Sequence, residues 1–438
     1  MTRFHIHNFG CRATQADGAA IEAMLVRRGL RHAPPSTADL VILNTCTVTS
    51  AADDDVRKAV HRVHRENPAA RILVTGCYAQ RAPEELALLP GVAWVVGNSH
   101  KSRIPELLAA APPEPPETGA PYHGQVHVGD IFAEREFLSS PVEDASGDRT
   151  RPNLKIQDGC NNRCSFCEIP FVRGRSRSMP AGDVIAQVRA LSARYREIVL
   201  SGINLGRWGR EPGSNLRLAG LLRRLLEETA VGRIRLSSIE PMDLSDDLLS
   251  VMAASPRIAK HVHAPLQTGS DAVLRRMRRN YRPRHYAERI LRAREWMPDA
   301  AIGADVMVGF PGESAREFEE NRRFIEALPF TYLHVFTYSA RPGTPASAAP
   351  AQVPMPERKR RNRILRELAA AKNLDFRRRM VGRTLAVVTL EQERLALSDN
   401  YLKVELAAPR PANRIVEACI GALSPDGLRE WNPLAVLG

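Results

Sequence analysis

Residues 154–167 read LKIQDGCNNRCSFC, a short apolar strand followed at once by Cys160, Cys164 and Cys167 in the spacing C-x3-C-x2-C. Three thiolates on one short loop can hold three corners of a four-iron four-sulfur cluster, because soft sulfur ligands suit this iron. A structural zinc site would need four protein ligands, and no fourth Cys or His follows at a useful spacing. The stretch therefore predicts a strand that ends in an iron–sulfur cluster with one iron lacking a protein ligand.

Beyond this strand, the chain alternates short strands with helices. Strands are predicted at 154–157, 197–202, 233–238, 261–264, 302–309 and 332–339, and helical windows begin near Ala181, Asn215, Ser245, Ser270, Arg284 and Ser314. Six such units predict an α/β fold with a partial or complete barrel of parallel strands, whose chemistry lies at the C-terminal strand ends. The basic run 356–379 predicts a long charged helix that closes this domain.

The first hundred residues predict a second α/β module, with strands at 4–8, 40–43, 72–74 and 93–96 and helical spacing at 18–28 and 53–65. That order favours an open parallel sheet. Short alternating stretches after residue 381 predict a small antiparallel β-barrel. We therefore predict modules at 1–111, 151–380 and 381–438. A linker rich in Pro, Glu, Gly and Ser at 112–150 separates the first two, and its residues 126–132 can still pair as a strand.

A second set of cysteines is spread along the first module. Cys11, Cys46 and Cys77 each close a predicted strand, so the thiols of neighbouring parallel strands would converge at the carboxyl edge of the sheet. Free Cys is also a common core residue. Three equivalent placements favour a second iron–sulfur cluster with an open iron, whereas Cys419 in IVEACIGAL is assigned to packing.

Composition narrows the class of protein. The 438 residues carry 62 basic and 49 acidic side chains, a formal charge of +13, which favours a polyanionic partner, although an Arg-rich coding bias would give the same excess. An odd number of cysteines, seven, argues against a disulfide framework. No apolar run of about 18 residues and no signal peptide is recognisable, so we expect a cytoplasmic protein with no membrane partner.

These motifs together resemble the methylthiotransferase family of radical S-adenosylmethionine enzymes over essentially the whole chain. The resemblance rests on NFGC, NTCTVT, ILVTGC, the three-cysteine loop, LSGINLG, HAPLQTGSD, ADVMVGFPGE and LSDNYLKV. NTCTVT and LSGINLG are most similar to the subgroup that modifies N6-threonylcarbamoyladenosine. The resemblance implies transfer of a methylthio group to carbon 2 of that nucleoside at position 37, in the anticodon stem-loop of tRNA.

The resemblance also implies the cofactors, which are two 4Fe-4S clusters and S-adenosylmethionine. In the family, the open iron on the loop of Cys160, Cys164 and Cys167 chelates S-adenosylmethionine, and one electron releases a 5′-deoxyadenosyl radical. The other cluster, on Cys11, Cys46 and Cys77, would present the sulfur. The electron would come from a low-potential donor such as flavodoxin or ferredoxin, and the sulfur donor is not specified.

Further residues are carried over position by position. Contacts to S-adenosylmethionine are expected from Ser201, Gly202, Ser238, Glu240, Gln267, Asp305 and Arg175. Arg173, Arg175 and Arg177 follow the cysteine loop closely and are expected to bind the carboxylate of that cofactor or a phosphate of tRNA. The alternative for Ser201 and Gly202 is an ordinary strand-to-helix turn. Asp305 could instead be a satisfied polar group of its strand, and the arginines could form a solvated basic face. Thr14 and Met179 stand where similar proteins usually have Asn and Arg, which puts the fine support of the clusters and substrate in question.

The C-terminal module resembles the RNA-binding TRAM domain. Arg383, Tyr401, Lys403 and Arg414 supply the mixture of charge and aromatic surface that RNA binding favours. A structural cap on the barrel is the alternative.

Two rival functions remain open. One is the same chemistry on N6-isopentenyladenosine of tRNA or on an Asp of a ribosomal protein. The other is an RNA-binding protein whose iron–sulfur clusters are only structural.

Overall fold

The computed structural model describes residues 2–109, 123–134, 137 and 150–432. The chain divides into two compact units, one formed by Met1–Ser146, Gln157–Met179 and Ser339–Ser347, the other by Gly147–Ile156, Pro180–Tyr338 and Ala348–Gly438. None of the helices in the described part of the chain is both long and apolar enough to span a bilayer. The module boundaries at 111, 151 and 381 stay a prediction.

The first unit is built on a parallel sheet. Up to residue 178 the elements are β1 (Arg3–Asn8), α1 (Arg12–Arg27), β2 (Arg31–His32), β3 (Leu40–Thr45), α2 (Ser50–Glu66), β4 (Arg71–Gly76), α3 (Cys77–Arg81), α4 (Pro83–Ala87), β5 (Val92–Gly97), α5 (Ile104–Ala109), β6 (Gln125–His127), β7 (Asn153–Asp158), α6 (Ile169–Arg173) and β8 (Arg177–Ser178). The sheet order is β2-β1-β3-β4-β5-β6 with every pair parallel. The predicted open parallel sheet is confirmed.

Burial explains why these strands form. β3 is buried along its whole length, as expected for a strand covered on both faces. Val41 and Leu43 enter one apolar cluster, while Leu40 and Ile42 enter the cluster on the opposite face. β6 overlaps the predicted strand at 126–132 only at Val126 and His127, and residues 128–132 form no strand. Most of the remaining predicted linker lies outside the described residues.

The second unit carries the predicted six-strand pattern. Its further elements are α7 (Ala181–Ser192), β9 (Glu197–Gly202), α8 (Leu218–Glu228), β10 (Arg233–Leu236), α9 (Asp246–Ala254), β11 (His261–His263), α10 (Asp271–Arg276), α11 (Pro283–Trp296), β12 (Ala301–Val308), α12 (Ala315–Ala327), β13 (Tyr332–Thr337) and α13 (Met355–Met380). β9 pairs with β10, and β12 lies between β11 and β13, all in parallel. β7, whose first four residues belong to this unit, neighbours β9, and the Val199 amide donates to the carbonyl of Pro152 just before β7. The partial barrel is confirmed.

The C-terminal part forms a closed barrel from β14 (Thr384–Thr389), β15 (Leu395–Ser398), β16 (Lys403–Glu405), β17 (Ile415–Leu423) and β18 (Leu428–Glu430). Its pairs are antiparallel except β16 with β18, so the predicted small barrel is confirmed with one parallel pair. Phe376 and Met380 of the predicted long helix, α13, enter its core. The assignment of Cys419 to packing was wrong: Ala418 and Ile420 point inward, so strand alternation leaves Cys419 exposed.

Candidate functional site

The three dispersed cysteines lie at the carboxyl ends of three neighbouring strands. Cys11 follows β1, Cys46 follows β3 and Cys77 follows β4 at the start of α3. Cys46 and Cys77 are buried, with 4% and 2% of their surface accessible, while Cys11 is exposed. The structure thus brings together at one sheet edge three thiols that are more than 60 residues apart in sequence from first to last.

Glycines let the backbone approach these thiols. Gly10 has φ +93°, and a Cβ there would lie 2.4 Å from the Cβ and 2.7 Å from the Sγ of Cys46. Gly76 has φ +101°, and its Cβ would lie 2.4 Å from the carbonyl oxygen of Thr45. Both positions therefore need glycine, for conformation and for space.

The dispersed thiols interact with one another. A hydrogen bond between Cys11 and Cys46 lowers the pKa of the Cys11 thiol well below its ordinary value. The same bond, burial and the charge of Cys77 raise the pKa of Cys46. Three thiols gathered at one sheet edge repel one another when all are ionised, and bound cations relieve this repulsion, so the donor set fits an iron cluster, whose soft irons prefer thiolates.

The second cysteine set lies on one tightly folded loop after β7. The Cys160 amide donates to the Gly174 carbonyl at 3.1 Å, and the Cys167 amide donates to the Cys164 carbonyl at 3.2 Å. Gly159, with φ +70°, approaches so closely that a Cβ would lie 2.0 Å from the Arg175 carbonyl oxygen. All three thiols are partly exposed, and no disulfide joins any of the seven cysteines, every one of which lies in the described residues. This loop fits a cluster that must also meet a ligand from outside the protein.

Arg173 corrects one expectation. It was expected to bind a cofactor carboxylate or an RNA phosphate, but it is 1% exposed and bonds Asp17 and Asp158, each at 3.0 Å. Asp17 also receives a bond of 2.8 Å from the buried ammonium of Lys101. Burial lowers the pKa of Lys101, and the neighbouring carboxylate of Asp17 opposes that change. A buried ion-pair group, rather than a solvated basic face, lies beside both cysteine sets.

The other two arginines of this run differ from Arg173. Arg175 is exposed and remains a candidate ligand contact, whereas Arg177 lies 3.9 Å from Asp158. Sequence reasoning missed Asp17 and Lys101, because a lone Asp within a helix pattern and a lone Lys in a short polar 3-10 helix give no recognisable signal. Thr14 and Met179, which stand where similar proteins usually have Asn and Arg, are both buried. The Thr14 hydroxyl lies 3.5 Å from the Cys11 sulfur, so this substitution is next to a candidate cluster ligand.

Ser201 and Gly202 end β9 in the second unit. Ser201 is 1% exposed, and within the described residues its buried Oγ has no hydrogen-bond partner. Leaving a buried hydroxyl unpaired costs about 1–3 kcal/mol, so an external polar group is needed to satisfy it. This orphaned hydroxyl at a barrel strand end fits a polar ligand such as the methionine part of S-adenosylmethionine.

Ser238, Glu240 and Gln267 are partly exposed near the ends of β10 and β11. Glu240 is ion-paired with Arg279, which fixes its carboxylate. Gln267 has φ +63°, an uncommon conformation for a residue with a side chain, held by backbone bonds of 2.8 Å to Asp305 and Met307. These residues are in place to contact a ligand, and their roles stay a prediction.

Asp305 is engaged within the protein. Its Oδ1 accepts hydrogen bonds of 3.2 Å from His263 Nε2 and from His334 Nδ1. Burial would raise the pKa of Asp305, but these two bonds outweigh it and hold the pKa well below its usual range. Both imidazoles therefore bond one carboxylate oxygen, and the expected contact of Asp305 with S-adenosylmethionine stays a prediction. The alternating histidines of HVHA on β11 were the overlooked signal for this group.

Among the residues expected to bind RNA, Tyr401 makes contacts within the protein. Its ring stacks on His261 with centroids 4.4 Å apart, and the guanidinium of Arg235 lies 5.4 Å from its centroid. Tyr401 therefore packs the small barrel against the strands of the larger one, and its expected contact with RNA stays a prediction. Arg383 is exposed and paired with Asp299, and Lys403 and Arg414 are exposed.

Two protein families and several named relatives match this chain. The profile of the radical SAM superfamily matches residues 154–325, and that of the uncharacterized protein family UPF0004 matches residues 3–97. A protein of Aquifex aeolicus named threonylcarbamoyladenosine tRNA methylthiotransferase MtaB is 36% identical over 413 residues, 94% of this chain and 98% of that protein. One of Bacillus subtilis with the same name is 37% identical over 92% of this chain and 90% of its own length.

A protein with a different printed name is also similar. The tRNA-2-methylthio-N(6)-dimethylallyladenosine synthase of Thermobifida fusca is 34% identical over 89% of this chain and 78% of that protein. Among solved structures, the radical S-adenosylmethionine methyltransferase TsrM of Kitasatospora setae superposes with a TM-score of 0.58 at 15% identity, covering 79% of this chain and 77% of that one. The structural likeness shows a shared fold.

Proposed function

Because the chain belongs to the family of threonylcarbamoyladenosine tRNA methylthiotransferases within the radical SAM superfamily, we propose that it transfers a methylthio group to carbon 2 of N6-threonylcarbamoyladenosine at position 37 of tRNA. The observation that carries this proposal is the presence of two sets of three cysteines in one compact unit of a chain that is 36% identical to such an enzyme over 94% of its length.

The enzyme uses S-adenosylmethionine and two 4Fe-4S clusters. When bound, these groups supply a carbon radical that can take hydrogen from an unactivated adenine carbon and the sulfur that replaces it. In our proposal Cys160, Cys164 and Cys167 hold the cluster that binds S-adenosylmethionine. Cys11, Cys46 and Cys77 hold the cluster that carries sulfur.

Side chains of the protein orient the cofactor. The orphaned hydroxyl of Ser201 supports a hydrogen bond to the methionine end of S-adenosylmethionine, with the Gly202 backbone beside it. Glu240, held by Arg279, and Gln267 are candidates for the ribose, and exposed Arg175 for the carboxylate. Binding in a fixed pose is the main contribution that a protein makes to such chemistry.

We further propose that Arg383, Lys403 and Arg414 bind phosphates of the anticodon stem-loop, in a chain of net charge +13. Replacing Lys403 and Arg414 together by Ala should weaken tRNA binding and lower the slope of log Kd against log salt by about 1 to 2. Affinity measured from about 50 to 200 mM salt tests this, with an exposed Arg on a helix of the larger barrel, Arg316→Ala, as the control. An unchanged slope would contradict the assignment.

The reaction also needs an electron donor and a cellular location where tRNA is available. The electron would come from a low-potential carrier such as flavodoxin or ferredoxin, and the work would take place in the cytoplasm, where tRNA is modified.

The deciding experiment offers anaerobically reconstituted enzyme two tRNAs, one carrying N6-threonylcarbamoyladenosine and one carrying N6-isopentenyladenosine. Nucleoside mass spectrometry should show the 2-methylthio product with the first only. Product with the second only would favour the activity named for the Thermobifida relative. An RNA-binding protein with structural clusters would form neither product nor 5′-deoxyadenosine.

A further inference from the structure

Ser339–Ser347 is a short segment that belongs to the first unit although it follows β13, the last strand of the larger barrel. The hydroxyl of Ser339 accepts from the Ser50 amide at 3.2 Å, at the start of α2. The Ala346 amide donates to the Ser165 carbonyl at 2.9 Å, within the loop of Cys164 and Cys167. The two ends of this segment therefore attach to the two different cysteine regions.

Arg341 lies in this segment and connects the same two regions through its side chain. It is 3% exposed, and its Nη2 donates to Thr47 Oγ1 at 2.7 Å and to Asp53 Oδ2 at 2.6 Å. Its Nε donates to Glu168 Oε2 at 3.2 Å. Thr47 follows Cys46 directly and Glu168 follows Cys167 directly, so one guanidinium bonds the neighbours of a cysteine from each set.

The third dispersed cysteine is tied to the same group. Arg81, in the short helix that begins at Cys77, donates to Thr47 Oγ1 at 3.0 Å and to Asp53 Oδ2 at 2.8 Å. Thr47 in turn donates to Asp53 Oδ1 at 2.9 Å. The acceptors are all buried, at 1% for Thr47, 4% for Asp53 and 7% for Glu168.

We propose that Arg341 is a positioning residue that sets the separation and orientation of the two iron–sulfur clusters, an inference that rests on the proposed function. A planar guanidinium makes several bonds in fixed directions, which the single ammonium of Lys cannot reproduce. The bonds are buried, where water cannot replace them. Product formation needs the substrate radical and the sulfur side by side, so a small displacement would leave the radical-forming step intact and impair the transfer.

The Arg341 variant is expected to keep its fold. The separate ion pairs of Arg173 with Asp17 and Asp158 also connect the two cysteine regions and do not involve Arg341. The matched control is Arg235→Lys, which alters an equally buried arginine paired with Glu197 in the second unit, remote from the cysteine loops in sequence. It reports the general cost of changing a buried arginine.

The test compares Arg341→Lys with Arg235→Lys and the parent enzyme, with Thr47→Val measured in parallel as a milder change. Iron per chain is determined first, and about eight irons indicate two clusters. Electron paramagnetic resonance of the dithionite-reduced proteins then reports the magnetic interaction between the clusters. Finally, 5′-deoxyadenosine and methylthio product are counted in the same reaction.

We expect Arg341→Lys to retain both clusters, to change their spin interaction, and to raise the ratio of 5′-deoxyadenosine to product by about tenfold to a hundredfold. Thr47→Val should shift both quantities in the same direction by less. A spin interaction and a ratio equal to those of Arg235→Lys would overturn the proposal. If no variant nor the parent forms methylthio product, the proposed function fails, while the spin interaction, measured without tRNA, still decides the role of Arg341.

Discussion

The two cysteine sets use the same ligands but are built in opposite ways. Cys160, Cys164 and Cys167 lie within eight consecutive residues on a loop closed by its own backbone bonds. Cys11, Cys46 and Cys77 come from three strands and meet only because those strands are neighbours in one sheet. The geometry of the first set is local, and that of the second depends on the fold of the whole module.

Register shows how far this dependence goes. β1 and β3 pair Asn8 with Asn44, and β3 and β4 pair Thr45 with Gly76. The Asn44 amide donates to the Asn8 side chain at 2.8 Å and so helps to fix the first register. A slip by one residue would move every side chain of a strand to the other face, so the dispersed set is lost when the sheet is disturbed.

The largest expected effect comes from the local set. Cys164→Ala should abolish formation of 5′-deoxyadenosine, because the cluster that binds S-adenosylmethionine loses one of its three thiolates, and no other group in the loop replaces it. Iron should fall from about eight toward about four per chain. Persistent 5′-deoxyadenosine in the Cys164 variant would show that the radical is made elsewhere.

Cys46→Ala should separate the two sets. The local set remains intact, so 5′-deoxyadenosine formation should survive in part, while methylthio transfer disappears because the second cluster has lost a ligand. Both products are counted in one anaerobic reaction with tRNA. Equal loss of both activities would contradict the division of labour between the sets.

Gly10→Ala tests the dispersed set without removing a ligand. The left-handed backbone at Gly10 and the 2.4 Å approach of a new Cβ to Cys46 should displace the thiol and lower the free energy of unfolding by about 1–3 kcal/mol. Iron per chain and the melting temperature measure this. Gly182→Ala is the control, because a Cβ there meets nothing within 4 Å, and its stability should change by about 1 kcal/mol or less.

The smallest expected effect concerns Asn98. Its amide donates to Cys77 Sγ at 3.7 Å and to the Val172 carbonyl at 2.7 Å, after the loop of the other set. Asn98→Ala should weaken retention of the dispersed cluster only a few-fold, as for loss of about 1 kcal/mol of hydrogen bonding. Chelator titration of iron release measures it, and faster loss from the local cluster instead would reverse the assignment.

The accuracy of the sequence predictions follows the same local and non-local division. All six barrel strands were located because each is a short apolar run bounded by turn residues, and β9 was predicted with its observed ends. Charged and polar partners were not predicted. Arg173 was expected to bind a carboxylate or phosphate from outside the protein, but it is buried against two aspartates. Cys419 was expected in a core, but the alternation of its strand leaves it exposed.

By itself, the sequence determined the two cysteine sets, the order of strands and helices and the resemblance that led to the family, because ligand spacing and hydrophobic period are written along the chain. Only the tertiary structure decided which charges lie buried and with whom. Arg341 stands in a loop 294 residues after Thr47, yet its guanidinium bonds the Thr47 hydroxyl. Two such groups pair because folding removes water from both, and each then needs the other as a hydrogen-bond partner. The sequence near either residue gives no sign of this pairing.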